Sequence, residues 1–285
     1  MYASDQTIFR FEITQTRNGW AVVWARPAHA TMDGEIFSAI VGPVERRPAK
    51  SARELNGALE ITFDDPYPNS MPDVFQLTFV DPRHLSATYA STGFEPWILV
   101  HEASAAPLGP WDPAKAYRLV IDRPTNAEMT AIFEADQKDR SSGKIDWAVV
   151  APADRLRQAR TQALLDAGAL HSGEDYEHAA FVFQHGAVPD DFLMAHILAT
   201  VAVARGKPSA TWIAAATLDR YLMNIGRPQI FGTQYSTKAD SKATQEPYTR
   251  TMLSDALRQA MRVPPLAAQE EQRKAYERET ANSKQ

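Results

Sequence analysis

Residues 124–128, Pro-Thr-Asn-Ala-Glu, divide the chain. Before Pro124 the apolar residues recur with period two; after it they recur with the period of a helix. The stretch itself reads as a helix start. Thr125 is placed to cap the first turn, and Glu128 is placed to reach back as the other half of a capping box. The change of period predicts two domains, 1–122 and 123–285, in an α+β multidomain fold. The first is expected to be an antiparallel β-barrel or sandwich, and the second an all-α bundle or helical array.

Upstream of the boundary, Phe9, Phe11 and Ile13 share one strand face and Arg10, Glu12 and Thr14 the other. Arg17-Asn18-Gly19 supplies an Asn-Gly hairpin signal, followed by Trp20, Val22 and Trp24. A second Asn-Gly, at Asn56-Gly57, precedes Leu59, Ile61 and Phe63; Phe75, Leu77 and Phe79 alternate again. Short β-prone runs follow at 85–90, 97–101 and 117–121. Many short strands between Gly, Pro and Asn suit a barrel of lipocalin-like size. The segment 103–115, with three prolines, is expected along the surface. Trp20 and Trp24 are expected in the core, and Asp64, Asp65 and Glu95 at turns and rims.

Downstream, amphipathic patterns predict helices at 152–168 and 174–185, closed by Gly168 and Gly186. Pro189, with Asp190 and Asp191, opens a third that Gly206 ends; Pro208 opens a fourth running to Gly226. A last pair is expected at 249–261 and 265–280. Between the fourth helix and this pair, residues 226–248 show neither period. Irregular stretches of that length inside a domain are usually functional or disordered.

Composition sets outer limits. The net charge is −5, and no run of five or six basic residues occurs, so nucleic acid is not an expected partner. The absence of cysteine removes disulfides, thiol nucleophiles and cysteine-ligated zinc. No stretch approaches the roughly 18 apolar residues of a membrane helix, so membrane insertion is not expected. The start, MYASDQTIFRFEI, has no basic or apolar leader region. The abrupt first strand suits a trimmed chain, so a periplasmic or secreted location is expected, with the cytoplasm as the alternative.

The informative residues are polar ones within apolar helices. FLMAHILATVAVA (192–204) and TWIAAATLDRYLM (211–223) are apolar nearly all round, as buried helices are. Their polar members include His196, Thr200, Asp219 and Arg220, and the preceding helix adds Gln184 and His185. A buried charge needs a partner or a wet cavity. Asp219 and Arg220 point about 100° apart on a helix and are not expected to pair with each other. His196 reads as a satisfied core residue. His185, at a helix C-terminus, is a better candidate for chemistry. No metal or other cofactor is expected. His178 and His185 share a helix face but lie about 10 Å apart along the axis, too far to share an ion whose ligands sit at about 2 Å. Neither a phosphate-binding glycine loop nor a G-x-S-x-G elbow is present.

The strings EADQKDR (134–140), AAFVFQHG (179–186), DRYLM (219–223) and GRPQIFGTQY (226–235) resemble the hallmarks of a bacterial family known only as a domain of unknown function. The likeness covers about residues 125–236. It implies a site built from Asp136, Arg140, Gln184, His185, Asp219, Arg220, Gln229, Gly232, Thr233 and Gln234, and implies no reaction. A polar set of this kind suits a site that binds and transforms a polar ligand. The expected function is therefore a metal-independent hydrolase or transferase acting on a small polar or peptide ligand. His185 is the expected general acid or base, and Asp219 its orienting partner. Arg220 or Arg140 is expected to clamp an anionic or carbonyl group. Gln229, Thr233 and Gln234 are expected to line the pocket, with Gly232 admitting a close backbone approach. A non-catalytic ligand-binding or interaction module is the alternative. A geometric test separates these readings: whether the loop, Asp219, Arg220 and His185 converge on one cavity.

Overall fold

The computed structural model describes residues 2–4, 7–64, 71–90, 92–102, 107–119, 121, 123–141, 145–237 and 242–282. Asp65 and residues 103–106 of the proline-rich segment lie outside them. The chain divides into two compact units, Met1–Asp122 and Arg123–Gln285.

The first unit is a curled, ten-stranded antiparallel sheet, a half-barrel. Its strands are β1 (Tyr2–Ala3), β2 (Arg10–Thr16), β3 (Gly19–Met32), β4 (Ile36–Pro48), β5 (Ser51–Leu55), β6 (Ala58–Phe63), β7 (Asp73–Asp81), β8 (His84–Tyr89), β9 (Trp97–His101) and β10 (Tyr117–Arg118). Their order is β10-β4-β3-β2-β1-β9-β8-β7-β6-β5. The period-two faces converge on an aromatic core. Phe9, Phe11, Trp24, Phe63, Phe75 and Trp97 are all at most 4% exposed. Their rings meet at centroid separations such as 5.0 Å for Trp24–Phe75 and 5.1 Å for Phe9–Trp97, within the range of favourable aromatic packing. One buried ion pair, Arg47 Nη1 to Asp73 Oδ2 at 2.7 Å, is joined by the Tyr89 hydroxyl, which donates to the other oxygen of Asp73.

Asn56 and Gly57 occupy the two central positions of the β5–β6 turn, with φ of 52° and 80° as that hairpin type requires. The first Asn-Gly is used differently. Thr16 pairs with Gly19, so Arg17 and Asn18 form the turn and Gly19 begins β3. Strand β4 has no clean alternation of buried and exposed residues. The reason is visible in the pairing: β3 and β4 shift register twice, between Pro27 and His29 and between His29 and Thr31. Trp24 lies in the core, whereas Trp20 lines an apolar cavity of about 470 Å³ together with Ile13, Leu55, Leu59, Leu77 and Leu85. Asp64 pairs with Lys50 at the surface.

The second unit is all-helical: α1 (Ala127–Arg140), α2 (Trp147–Asp166), α3 (Gly173–Phe183), α4 (Pro189–Ala204), α5 (Thr211–Asn224), α6 (Asp255–Ala260) and α7 (Leu266–Asn282), with a 3-10 turn at Pro208–Ala210. The cap of α1 is Asn126, one residue beyond the expected Thr125; its side chain accepts from the amides of Glu128 and Met129. Helix α2 begins at Trp147, capped by Asp146, and admits Pro152 inside its length. Only Asp255–Ala260 of the helix expected at 249–261 forms. Alanines 179, 180, 195, 199, 202 and 214 fill the seams between α3, α4 and α5, where small side chains permit close helix packing. Among the described residues, no helix is long and apolar enough to cross a membrane.

Candidate active site

The site begins at the C-terminal end of α1. Asp136 is fully buried and its position is set by three side chains. Gln137 Nε2 donates to Oδ2 at 2.8 Å; Arg140 Nη1, one turn on, donates to Oδ1 at 3.0 Å; His185 Nδ1 meets the same Oδ1 at 3.0 Å. Arg140 also donates through Nη2 to Asp154 of α2 at 2.6 Å. Arg157 donates to Asp154 at 3.0 Å and to Asp139. This chain of alternating charges fixes α1 against α2 and holds Asp136 still.

His185 follows Gln184, the C-cap of α3, and its side chain is 16% exposed. With a neutral ring donating Nδ1–H to Asp136, Nε2 becomes the basic nitrogen. His185 lines a pocket of about 400 Å³ with Arg140, Trp147, Gln184, Gly186, Phe192, Arg220 and Asn224. Arg220, from α5, donates through Nη1 to the Gln184 carbonyl at 2.8 Å and through Nε to Gln234 Oε1 at 3.3 Å. Its guanidinium lies 5.7 Å from the centre of the Phe192 ring. Burial pushes its pKa below the ordinary arginine value. Among the described residues, no carboxylate lies within ion-pair distance of it.

The remaining candidates form a second network. Asp219, expected as the partner of His185, is instead saturated by the loop that follows α5. Its Oδ1 accepts from the amides of Ile230 and Phe231 at 2.8 and 3.0 Å; its Oδ2 accepts from the Thr233 amide and hydroxyl at 3.0 and 2.8 Å. Gln229 is fully buried. Its Oε1 accepts from the Gln234 amide, and its Nε2 donates to the carbonyls of Gln234 and Gln245. Gly232 has φ of 81°, and a Cβ there would stand 2.2 Å from Gln269 Oε1. The close approach at Gly232 is thus made by another part of this chain. Gln245, Tyr248 and Gln269 complete the network through the carbonyls of Phe231 and Gly232.

The physical reason is the loop itself. A buried irregular segment has amides and carbonyls with no ladder to join. Glutamine offers a donor and an acceptor together, so it substitutes for a missing peptide partner. The side chains of Gln229 and Thr233, expected to line the pocket, make their hydrogen bonds within the loop and to its neighbours, and the close approach at Gly232 is made by Gln269. Gln234 alone reaches toward the pocket, through Arg220.

The convergence expected of the site is therefore partial: Arg140, Gln184, His185 and Arg220 line one pocket, with Asp136 behind His185, whereas Asp219 and the loop stand apart from it. Trp147, Phe192 and Asn224 were not singled out in the sequence. Trp147 is masked there by a helix that starts five residues before Pro152. His196 is a satisfied core residue, its Nδ1 against the Ala214 carbonyl at 2.9 Å. Among the described residues, no group of three or more His, Asp or Glu is placed to hold a metal ion. Compared with known proteins, the chain matches no protein family, no curated protein and no solved structure.

Proposed function

We propose that the helical unit is a metal-independent hydrolase or transferase, with His185 as general acid and base in the pocket of about 400 Å³. The observation that carries this reading is the pairing of His185 Nδ1 with the fully buried Asp136, which turns Nε2 into the ring's basic atom. A carboxylate in that position selects the tautomer and stabilises the imidazolium formed when Nε2 takes a proton. The described lining contains no hydroxyl or thiol side chain. The nucleophile is then water or an acceptor hydroxyl. His185 Nε2 removes its proton as it attacks, and returns that proton to the leaving group. The Arg220 guanidinium and the side-chain amides of Gln184 and Asn224 are the polar groups of the lining left to face the substrate.

The test is turnover of a panel of small esters, amides and phosphodiesters by wild type, His185→Gln and Asp136→Asn. The expected result is a loss of at least about 100-fold in both variants, with melting temperature preserved in His185→Gln. Full turnover in His185→Gln ends the proposal. Wild-type binding of panel members without product favours a ligand-binding module instead.

A further inference from the structure

We infer that the pocket recognises a small molecule through a single carboxylate held by Arg220. This inference rests on the pocket proposed above as the functional site, though not on any reaction occurring there.

The argument starts from unequal partnership among the arginines. Arg140 contacts Asp136 and Asp154, and Arg157 contacts Asp154 and Asp139. Both are neutralised within the protein. Arg220 is similarly withdrawn from solvent, yet its described partners are two neutral oxygens, the Gln184 carbonyl and Gln234 Oε1. Those two contacts occupy Nη1 and Nε. Nη2 has no hydrogen-bond partner among the described residues, and Arg220 lines the cavity. A guanidinium held in this way is oriented without being discharged. Burial without a counter-ion is unfavourable, and an arriving anion removes that penalty.

The loop gains a purpose from this. Gln234 directs Oε1 at Arg220 because its Nε2 donates to the Ala216 carbonyl and to Thr233 Oγ1. Thr233 is in turn fixed by Asp219. The buried loop network is thus the support that aims one cation into the pocket.

The charge count favours a monoanion. Of the charged groups lining the pocket, Arg140 is balanced and Arg220 is not. One uncompensated positive charge matches a carboxylate better than a doubly charged phosphate monoester. Phe192, 6% exposed, and Trp147, 60% exposed, supply aromatic wall beside it, so the carboxylate should carry an apolar group. A cavity of about 400 Å³ suits a small molecule.

The probe is 3-phenylpropionate, with its neutral amide and inorganic phosphate as controls. Each is titrated into the full chain by calorimetry, with thermal stabilisation as a second readout. The expected result is binding of the carboxylate to wild type, at least about tenfold stronger than the amide and than phosphate. Arg220→Gln is expected to lose at least about tenfold in carboxylate affinity, and Arg220→Lys to retain part of it. Equal binding of carboxylate and amide to wild type overturns the inference and requires no variant to fold. No carboxylate binding at millimolar concentration also overturns it, and tighter binding of phosphate overturns the choice of anion. If His185→Gln keeps full turnover while carboxylate binding still depends on Arg220, the catalytic reading fails and this one stands.

Discussion

Asp136 and Asp219 are both fully buried, and their partners assign them opposite tasks. Asp219 receives four donors, all from one loop, and none of them is a cation. Replacing it with Asn places an amide group against N–H donors. Asp219→Asn is expected to destabilise the chain by about 3 kcal/mol, following the cost of losing hydrogen bonds to a charged group, as read by urea unfolding. A change under about 0.5 kcal/mol would show that the loop does not depend on it. Asp136 meets a cation, an amide and an imidazole. Its contact with His185 was not legible in the sequence, because the two are 49 positions apart and only packing of α1 on α3 unites them. The pairing of Asp219 with His185 was attractive because both looked buried and polar. Burial alone does not say which way a carboxylate faces.

Helices and strands were legible wherever one face is buried and the other wet. The alternation at Phe9–Ile13 and the Asn56-Gly57 turn correspond to formed elements. The misses share a cause. Strand β4 contains Pro43 and Pro48, and Ala39 at φ 49°, so its faces exchange along its length. Helix α1 starts one residue late because Asn126 outcompetes Thr125: its Oδ1 caps the helix while its Nδ2 bonds the Ala169 carbonyl.

Helix α3 carries its own pH response. His178 is buried, stacked on Phe133 at 4.1 Å, with Nδ1 unpartnered. Burial depresses its pKa below 6.5, although Glu174, Glu177 and Asp175 oppose this; Lys207 adds to the depression. The unfolded chain therefore binds a proton more readily than the folded one, so stability is fully present above pH 6.5 and falls as pH drops below it. His178→Phe is expected to flatten the slope just below pH 6.5 in thermal unfolding. An unchanged slope would remove His178 as its source.

At the scale of the molecule, the division at PTNAE coincides with the boundary between the two compact units. All the residues of the pocket and of the loop network belong to the second. A fragment of residues 123–285 is therefore expected to fold by itself and to keep the carboxylate response of the whole chain, as read by circular dichroism and calorimetry. An unfolded fragment would show that the helical core needs the β unit. The loop that made the helical half distinctive in sequence bonds largely to itself and to Asp219. Among the described residues, its polar side chains satisfy one another's backbone and meet the pocket through the contact of Gln234 with Arg220. The catalytic proposal comes down to one nitrogen. The most direct measurement is nitrogen-15 NMR of the His185 ring in the full chain, at a pH where the ring is neutral. The expected spectrum has Nδ1 protonated and Nε2 bare in wild type, with that preference lost in Asp136→Asn. Protonated Nε2 in the wild-type ring would contradict the assignment of His185 as the base.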